Sequence, residues 1–137
     1  MKNIKEKISY SFLFFLLIAI DQAAKFLIVE HHQHLVFKNN NFAFSLAVPS
    51  VAMYFIYVVL LGSLTVWFVL KKNKQTVAKL GFVFILAGAL SNIVERIFKG
   101  YVIDFIHIHT GVLNLADFFI IAGILMLLLE NDEPKKV

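Results

Sequence analysis

Residues 80–98 read LGFVFILAGALSNIVERIF, a stretch whose first eleven residues carry no charge and whose polar side chains come only near its end. A helix of about 20 such residues crosses the roughly 30 Å hydrocarbon core of a bilayer. Three further apolar runs, at roughly 10–28, 51–70 and 114–130, have similar lengths. Of the 137 residues, 60% are hydrophobic, and the mean hydropathy of +0.80 exceeds that of a soluble domain. We therefore predict an all-α integral membrane protein with four transmembrane helices.

The first apolar run could instead be a cleavable signal peptide, because three lysines precede it. The run continues through Asp21 and Lys25 without a cleavage site of the A-x-A kind, which favours a retained first helix. The chain has no cysteine, so disulfides, thiolate chemistry, cysteine-ligated metals and lipidation of its own cysteine are excluded.

The net charge of +4 does not indicate nucleic-acid binding, because the basic residues cluster on one side of the predicted spans. Nine of the thirteen lie before span one, between spans two and three, or at the end of the chain: Lys2, Lys5, Lys7, Lys71, Lys72, Lys74, Lys79, Lys135 and Lys136. The positive-inside rule then predicts that both termini are cytoplasmic. The connections at 30–50 and 99–113 are therefore predicted to lie outside, and the short basic connection 71–75 predicts an antiparallel pairing of spans two and three.

Both outer connections contain extended patterns. In the first, alternating residues at 35–37 are followed by turn formers, which predicts a small hairpin on the membrane surface, and Pro49 marks the entry into span two. The second alternates from 102 to 109, and Gly111 is expected to end that extended stretch. No internal repeat or linker is visible, so residues 1–137 are predicted to form a single membrane domain.

The predicted topology places seven polar residues at one level, the outer boundary of the bilayer. They are Asp21, Lys25, Asn92, Arg96, Asp104, Asn114 and Asp117. Polar groups at such a depth face a bundle interior or a water-filled cavity, and they indicate a functional site.

Simpler interpretations remain for part of this set. Asp21 and Lys25, four residues apart on one helix, could be a structural ion pair. Asn92 and Arg96 could be an interhelical hydrogen-bonding group and a headgroup anchor. The histidines at 31, 32 and 34, with those at 107 and 109, could bind a metal, but without a cysteine or a spaced acidic partner they are a weak signal, and no metal is predicted.

Asp104 and Asp117 are the strongest candidates for chemistry. Two carboxylates held close together cannot both ionise cheaply, so they share a proton and their pKa values separate. An aspartic protease uses this arrangement: one carboxylate takes a proton from water while the protonated partner polarises the scissile carbonyl. A different class stays open, a small transporter or channel subunit that uses the carboxylates as a proton or cation site. A third possibility is a binding protein that has lost catalysis.

Five short motifs lie in order along the chain: DQAAK at 21–25, NNNFAFS at 39–45, GALSNIVER at 88–96, GYVIDF at 100–105 and LNLAD at 113–117. Together they resemble the motifs of the bacterial lipoprotein signal peptidases, also called type II signal peptidases. The resemblance covers most of the chain. It implies four transmembrane helices, a small β-structured extracytoplasmic cradle, and catalysis by Asp104 and Asp117.

The resemblance also implies cleavage of a prolipoprotein signal peptide before a diacylglyceryl-modified cysteine, without a cofactor. By motif position, the two aspartates and the substrate would be supported by four residues, Asn39, Asn92, Arg96 and Asn114. Asp21 and Lys25 would hold the architecture together near the site. The implied setting is the bacterial cytoplasmic (inner) membrane, with the active site near the extracytoplasmic face of a monomer surrounded by membrane lipids. The resemblance also implies that cyclic peptide antibiotics that inhibit the family would bind at this site.

The chain departs from the family pattern at several positions. Asn41 stands where glycine is usual and tolerates a positive φ better than most residues. Phe42 replaces a small residue, and Glu95 replaces an aspartate before Arg96 with a longer arm. The connection between Asp104 and Asp117 is also short, which predicts a reduced outer flap and leaves the substrate range open.

Overall fold

The computed structural model describes residues 2–40, 49–71 and 75–129. In this part of the chain, four α-helices alternate with short strands and one 3₁₀ turn, Gln33–Leu35. The helices are α1 (Lys2–His31), α2 (Ser50–Leu70), α3 (Thr76–Lys99) and α4 (Leu115–Leu128). The strands are β1 (Phe37–Asn39), β2 (Val102–Asp104), β3 (Ile106–Ile108) and β4 (Gly111–Leu113).

Three of the helices, α1, α2 and α3, are long and apolar enough to cross a membrane, so the chain is a multi-pass membrane protein. Helix α1 is longer than the predicted span 10–28 at both ends. Helix α4 is shorter than predicted: its 14 residues extend about 21 Å. Asn114 does not continue this helix but caps it, and the predicted end at residue 130 lies outside the described residues.

The strands pair differently from the prediction. Within the described residues, β1 pairs antiparallel with β2 from the connection between α3 and α4, with Lys38 opposite Ile103. Residues 41–48, the rest of the predicted hairpin, lie outside the described part of the chain. The alternation at 102–109 is not one strand either, because Phe105 interrupts it and β3 pairs with β4 in a separate hairpin. Gly111 therefore begins a strand rather than ending one.

Helix α3 packs mainly against α4 and α1, with less contact to α2 than the short connection between them predicts. The stacked rings of Phe68 and Phe82, 3.9 Å apart, join α2 to α3. Between α3 and α4 the backbones come close because glycines face each other: a Cβ on Gly123 would lie 2.6 Å from the carbonyl oxygen of Gly81. Nearer the polar end of α3, a Cβ on Gly88 would clash with the carbonyl oxygen of Ala116, so the same close packing holds the first turn of α4 against α3.

Candidate active site

Asp117 is held in position by the start of helix α4. Asn114 is the N-cap, and its side-chain oxygen accepts a hydrogen bond from the Asp117 amide at 3.1 Å. In return, Asp117 Oδ2 accepts a hydrogen bond from the Asn114 amide, also at 3.1 Å. This reciprocal capping box uses two amides that would otherwise lack a helical partner. It also fixes the direction in which the Asp117 carboxylate points.

Asn114 connects Asp117 to Asp104. Its side-chain Nδ2 donates to Asp104 Oδ1 at 2.6 Å and to Asn92 Oδ1 at 3.1 Å. Asn92 in turn donates from Nδ2 to Asp117 Oδ1 at 2.9 Å. The two carboxylates, predicted from sequence to form one site, thus belong to one hydrogen-bonded cluster together with two asparagines.

The sheet register places Asn39 beside Asp104. Residues 39 and 104 lie diagonally across the β1–β2 pair, on the same face, since Asn39 is opposite Val102. Asn39 Nδ2 donates to Asp104 Oδ2 at 2.8 Å. Every carboxylate oxygen of Asp104 and Asp117 therefore accepts a hydrogen bond, and three of these four bonds come from asparagine side chains.

Lys25 lies at the centre of a buried network behind the carboxylates. Its ammonium is 2.9 Å from Asp21 Oδ2, which confirms the predicted i, i+4 pair, and 2.8 Å from Glu95 Oε2. It also donates to Asn92 Oδ1 at 3.0 Å, so Lys25 fixes which end of the Asn92 amide faces Asp117. Lys25 was predicted as a site residue from the sequence, but Glu95 was missed as its second partner. A glutamate in a largely apolar helix is itself an indication of a functional site.

Asp21 anchors helix α4. Its Oδ1 accepts a hydrogen bond from the Ala116 amide at 2.9 Å, and its Oδ2 accepts one from the Ser91 hydroxyl at 2.7 Å. Gln22 donates to the same hydroxyl at 2.9 Å. Gln22 belongs to the DQAAK motif, but neither Gln22 nor Ser91 was predicted as a site residue, because small and amide side chains in an apolar run have no distinctive spacing.

Arg96 and Tyr57 face the site from α3 and α2. The Arg96 side chain is buried, and its guanidinium lies 5.8 Å from the centre of the Tyr57 ring. Such a stack is a favourable cation–π geometry. Tyr57 was not predicted, because a tyrosine within a membrane helix is unremarkable until the fold brings it opposite an arginine.

Both carboxylates border one cavity of about 540 Å³ between α2, α3 and α4. Its polar end also contains Asn39, Asn92, Arg96 and Asn114. The rest of its wall is apolar and follows one face of α4 from Ile120 to Leu128, opposite Leu60, Leu61 and Leu64 of α2. The cavity can hold an elongated apolar ligand and place one polar bond of that ligand next to the two carboxylates.

Burial raises the pKa of Asp104 to about 6, and the nearby Asp117 charge acts in the same direction. The hydrogen bonds from Asn39 and Asn114 favour the ionised form and oppose part of this rise. Asp104 is 1% exposed and lies in the connection between α3 and α4, at the end of β2. A carboxyl group with this pKa retains its proton more readily than an ordinary aspartate.

This pKa predicts how stability depends on pH. Between about pH 4 and pH 6 the folded protein holds a proton on Asp104 that the unfolded chain, with a pKa of about 3.9, releases. The free energy of unfolding should therefore fall as the pH rises through this range, by on the order of 3 kcal/mol from this group. Reversible unfolding in mixed micelles at several pH values measures this change in the free energy of unfolding.

The variant Asp104→Asn is the comparison for that titration. It should lack this part of the pH dependence, while the contributions of the histidines and other acids remain in both proteins. Equal slopes for Asp104→Asn and the unchanged chain between pH 4 and pH 6 would contradict the raised pKa.

The histidines do not assemble into a metal site in the described part of the chain, where no group of three histidine, cysteine or acidic side chains could hold an ion. His32 and His34 pack edge to face with ring centres 6.0 Å apart. His107 and His109 lie at the exposed end of the β3–β4 hairpin.

Fold and site together define a class, a multi-pass membrane protein whose two carboxylates border one largely apolar cavity. The family model for signal peptidase (SPase) II matches residues 13–131. The chain therefore belongs to the signal peptidase II family, and the resemblance drawn from its motifs is confirmed.

Solved structures support the fold. A bacterial membrane enzyme determined by the in meso method at 2.3 Å resolution superposes with a TM-score of 0.74, covering 94% of both chains at 21% identity. A second bacterial membrane enzyme structure, at 1.9 Å, superposes with a TM-score of 0.73 at 20% identity. At these identities, the likeness concerns the arrangement of helices and strands alone.

Relatives in sequence are lipoprotein signal peptidases. The one from Caldicellulosiruptor bescii is 40% identical over 91 residues, which are 66% of this chain and 60% of that protein. The one from Rickettsia akari is 44% identical over 62 residues, 42% of this chain and 32% of that protein. The one from Caldanaerobacter subterraneus is 29% identical over 103 residues, 73% of this chain and 71% of that protein. The first two alignments thus span less than two thirds of the relatives' own lengths.

Proposed function

We propose that this protein is a membrane aspartyl endopeptidase that cleaves the signal peptide from a prolipoprotein, before the diacylglyceryl-modified cysteine. The observation that carries the proposal is the pair Asp104 and Asp117, linked through Asn114 and bordering one cavity with an apolar wall. A dyad supplies the chemistry of peptide hydrolysis, and the apolar wall suits a membrane-embedded substrate. Membership in the signal peptidase II family supports the same reaction.

We assign the two carboxyl groups different roles. Asp104 is the more deeply buried, and its raised pKa suits it to carry the shared proton and to polarise the scissile carbonyl. Asp117 lies in the first turn of α4, where the positive end of the helix dipole favours an anion, and it takes a proton from the attacking water. The water oxygen adds to the carbonyl carbon while Asp104 protonates the carbonyl oxygen. Collapse of this tetrahedral intermediate breaks the C–N bond: the leaving amine takes up the proton held by Asp117, and Asp104 regains a proton from a hydroxyl of the intermediate as the carbonyl group re-forms.

The surrounding residues hold this geometry. Asn39, Asn92 and Asn114 each donate to a carboxylate of the pair, which keeps the two groups oriented before the substrate arrives. Asp21 and Lys25 act from behind through the α4 amide and Asn92, so they are positioning residues. Arg96 at the cavity wall provides a donor for substrate carbonyl groups.

The apolar part of the carboxylate cavity forms a groove along α4, and this groove suggests where the substrate lies. Its apolar walls, formed by leucines of α2 and isoleucines of α4, fit the apolar part of a signal peptide and the acyl chains of the modified cysteine. Of the departures from the family pattern, Asn41 and Phe42 lie outside the described residues, and Glu95 serves the Lys25 network rather than the groove.

The proposal includes a topology. Residues 1–137 form one domain with four spans, α4 being the short fourth span, and both termini are cytoplasmic. The active site then lies near the extracytoplasmic face of the bacterial inner membrane, where lipid-modified preproteins would reach it. A monomer contains all the residues proposed for the reaction, and cyclic peptide antibiotics are expected to compete for the same groove.

Cleavage of a defined substrate tests the proposal. The full chain in lipid nanodiscs is given two prolipoprotein peptides that are identical except for the diacylglyceryl group on cysteine, and mass spectrometry identifies the new N-terminus. We expect cleavage before the modified cysteine, with at least a 100-fold preference over the unmodified peptide, because the lipid contributes to binding in the apolar groove. Proton or cation flux through liposomes without peptide cleavage would instead support the transporter alternative.

A further inference from the structure

A second cavity lies behind the β1–β2 sheet. Its volume is about 680 Å³, and it opens between the outer part of α1, the 3₁₀ turn and the end of α3. Strand alternation separates it from the proposed active site: Asn39 and Asp104 point to the carboxylate cavity, whereas Lys38 and Ile103, opposite each other in the register, line the second one. Nothing in the proposed reaction uses this cavity.

The second cavity collects positive charge. Four basic residues remain outside the nine that mark the cytoplasmic side, and three of them, Lys25, Lys38 and Lys99, border this cavity. No acidic residue is among the described residues that line it. Behind its wall, Glu95 pairs with Lys25 and Lys99, and Asp21 pairs with Lys25. The three lysines of the cavity therefore outnumber these two carboxylates, which leaves one net positive charge.

Two of these lysines, Lys38 and Lys99, lie at the opening of the cavity, and apolar side chains of α1 border it. Lys38 is exposed and lies 5.1 Å from the centre of the Tyr101 ring, while the Lys99 side chain is 42% exposed. Phe26 and Val29, on the outer half of α1, continue from the cavity onto the lipid-facing surface, and Phe26 is 64% exposed. A ligand that fits both parts has an anionic headgroup next to an acyl chain.

We infer that this cavity binds an anionic phospholipid of the outer leaflet, with its phosphate between Lys38 and Lys99 and an acyl chain along Phe26 and Val29. The inference rests on the proposed outward orientation of this end of the molecule. It does not depend on the peptidase reaction. Arginine and lysine side chains near a membrane surface each contribute roughly fivefold to the binding of acidic lipids, and these two lysines converge on one opening.

Native mass spectrometry of the full chain in detergent tests the inference. Dioleoyl phosphatidylglycerol should remain bound at concentrations at which dioleoyl phosphatidylcholine and inorganic phosphate do not. The double variant Lys38→Gln/Lys99→Gln should lose about 25-fold in affinity for phosphatidylglycerol, as two contributions of about fivefold. Glutamine at 99 can still donate to Glu95. Lys38→Gln alone, which breaks no ion pair among the described residues, should lose about fivefold.

The matched control is Lys5→Gln/Lys7→Gln, which removes the same charge from the start of α1 and should leave phosphatidylglycerol affinity within about twofold. Equal affinity of the Lys38/Lys99 variant and this control would overturn the inference. Equal binding of the two lipids would do the same, and displacement of phosphatidylglycerol by inorganic phosphate would show a phosphate site without a lipid role. Binding is measured without substrate, and cleavage is measured separately on the same preparations, so a failed peptidase assay leaves this result readable.

Discussion

Replacing Asp104 or Asp117 with asparagine is expected to lower the rate of prolipoprotein cleavage by at least about 1000-fold, because general acid–base catalysis and carbonyl polarisation each contribute orders of magnitude. Asparagine at 117 cannot take a proton from water. Asparagine at 104 can donate a hydrogen bond but cannot transfer a proton to the carbonyl oxygen. Single-turnover cleavage of the lipid-modified peptide in nanodiscs measures both effects.

Glu30→Gln is the matched control for these two variants. It neutralises one exposed carboxylate near the C-terminal end of α1, away from the carboxylate cavity, and should retain full activity. Retained binding of the uncleaved lipid-modified peptide would show that Asp104→Asn and Asp117→Asn still form the groove. Turnover by either variant within tenfold of the unchanged chain would refute the assignment of that residue to the dyad.

Replacing Lys25 with methionine is expected to cost about 3–5 kcal/mol of the free energy of unfolding, because it leaves uncompensated buried charge. Lys25 is 1% exposed and pairs with two carboxylates, Asp21 at 2.9 Å and Glu95 at 2.8 Å. Methionine fills a similar volume, so the loss should come from the unpaired acids rather than from a cavity. Reversible unfolding in mixed micelles measures the change.

Lys99→Met is the control for Lys25→Met, since Lys99 contacts the same Glu95 but its side chain is 42% exposed. Solvent screens that pair, and its removal should cost about 1 kcal/mol or less. Combining Lys25→Met with Asp21→Asn and Glu95→Gln should restore part of the lost stability by removing the unpaired charges. A Lys25→Met protein as stable as the Lys99→Met protein would contradict the proposed role of the buried network.

The apolar runs predicted the helices well and their ends less well. Hydropathy alone predicted the second span at 51–70, and the structure has α2 at Ser50–Leu70. The prediction is close because a membrane span depends on the sum of many similar side chains. It misplaced the start of the last helix, where Asn114 leaves the helix to cap it. Strand pairing was predicted least well: the pairing of Lys38 with Ile103 joins segments 65 residues apart, and short alternating segments do not specify their partners.

Residue type and predicted depth selected the two carboxylates with Asn92 and Asn114, and the family motifs added Asn39. Asp104, Asp117 and the asparagines at 39, 92 and 114 were named from sequence, and they meet in one hydrogen-bonded cluster. Glu95 was noted only as a departure from a motif, although it is the second partner of Lys25. Tyr57 was missed because aromatic residues are common in membrane helices.

The sequence by itself determined that this is a membrane protein, which family it resembles, and which few polar residues in the apolar chain were candidates for one site. These properties follow from composition and order along the chain, because burying charge in hydrocarbon is costly wherever it occurs. Only the tertiary structure decided that Lys25 orients Asn92, that Asp21 holds the first turn of α4, and that one small sheet divides two cavities. Such contacts join residues far apart in the chain, and their geometry depends on how α3, α4 and the strands pack together.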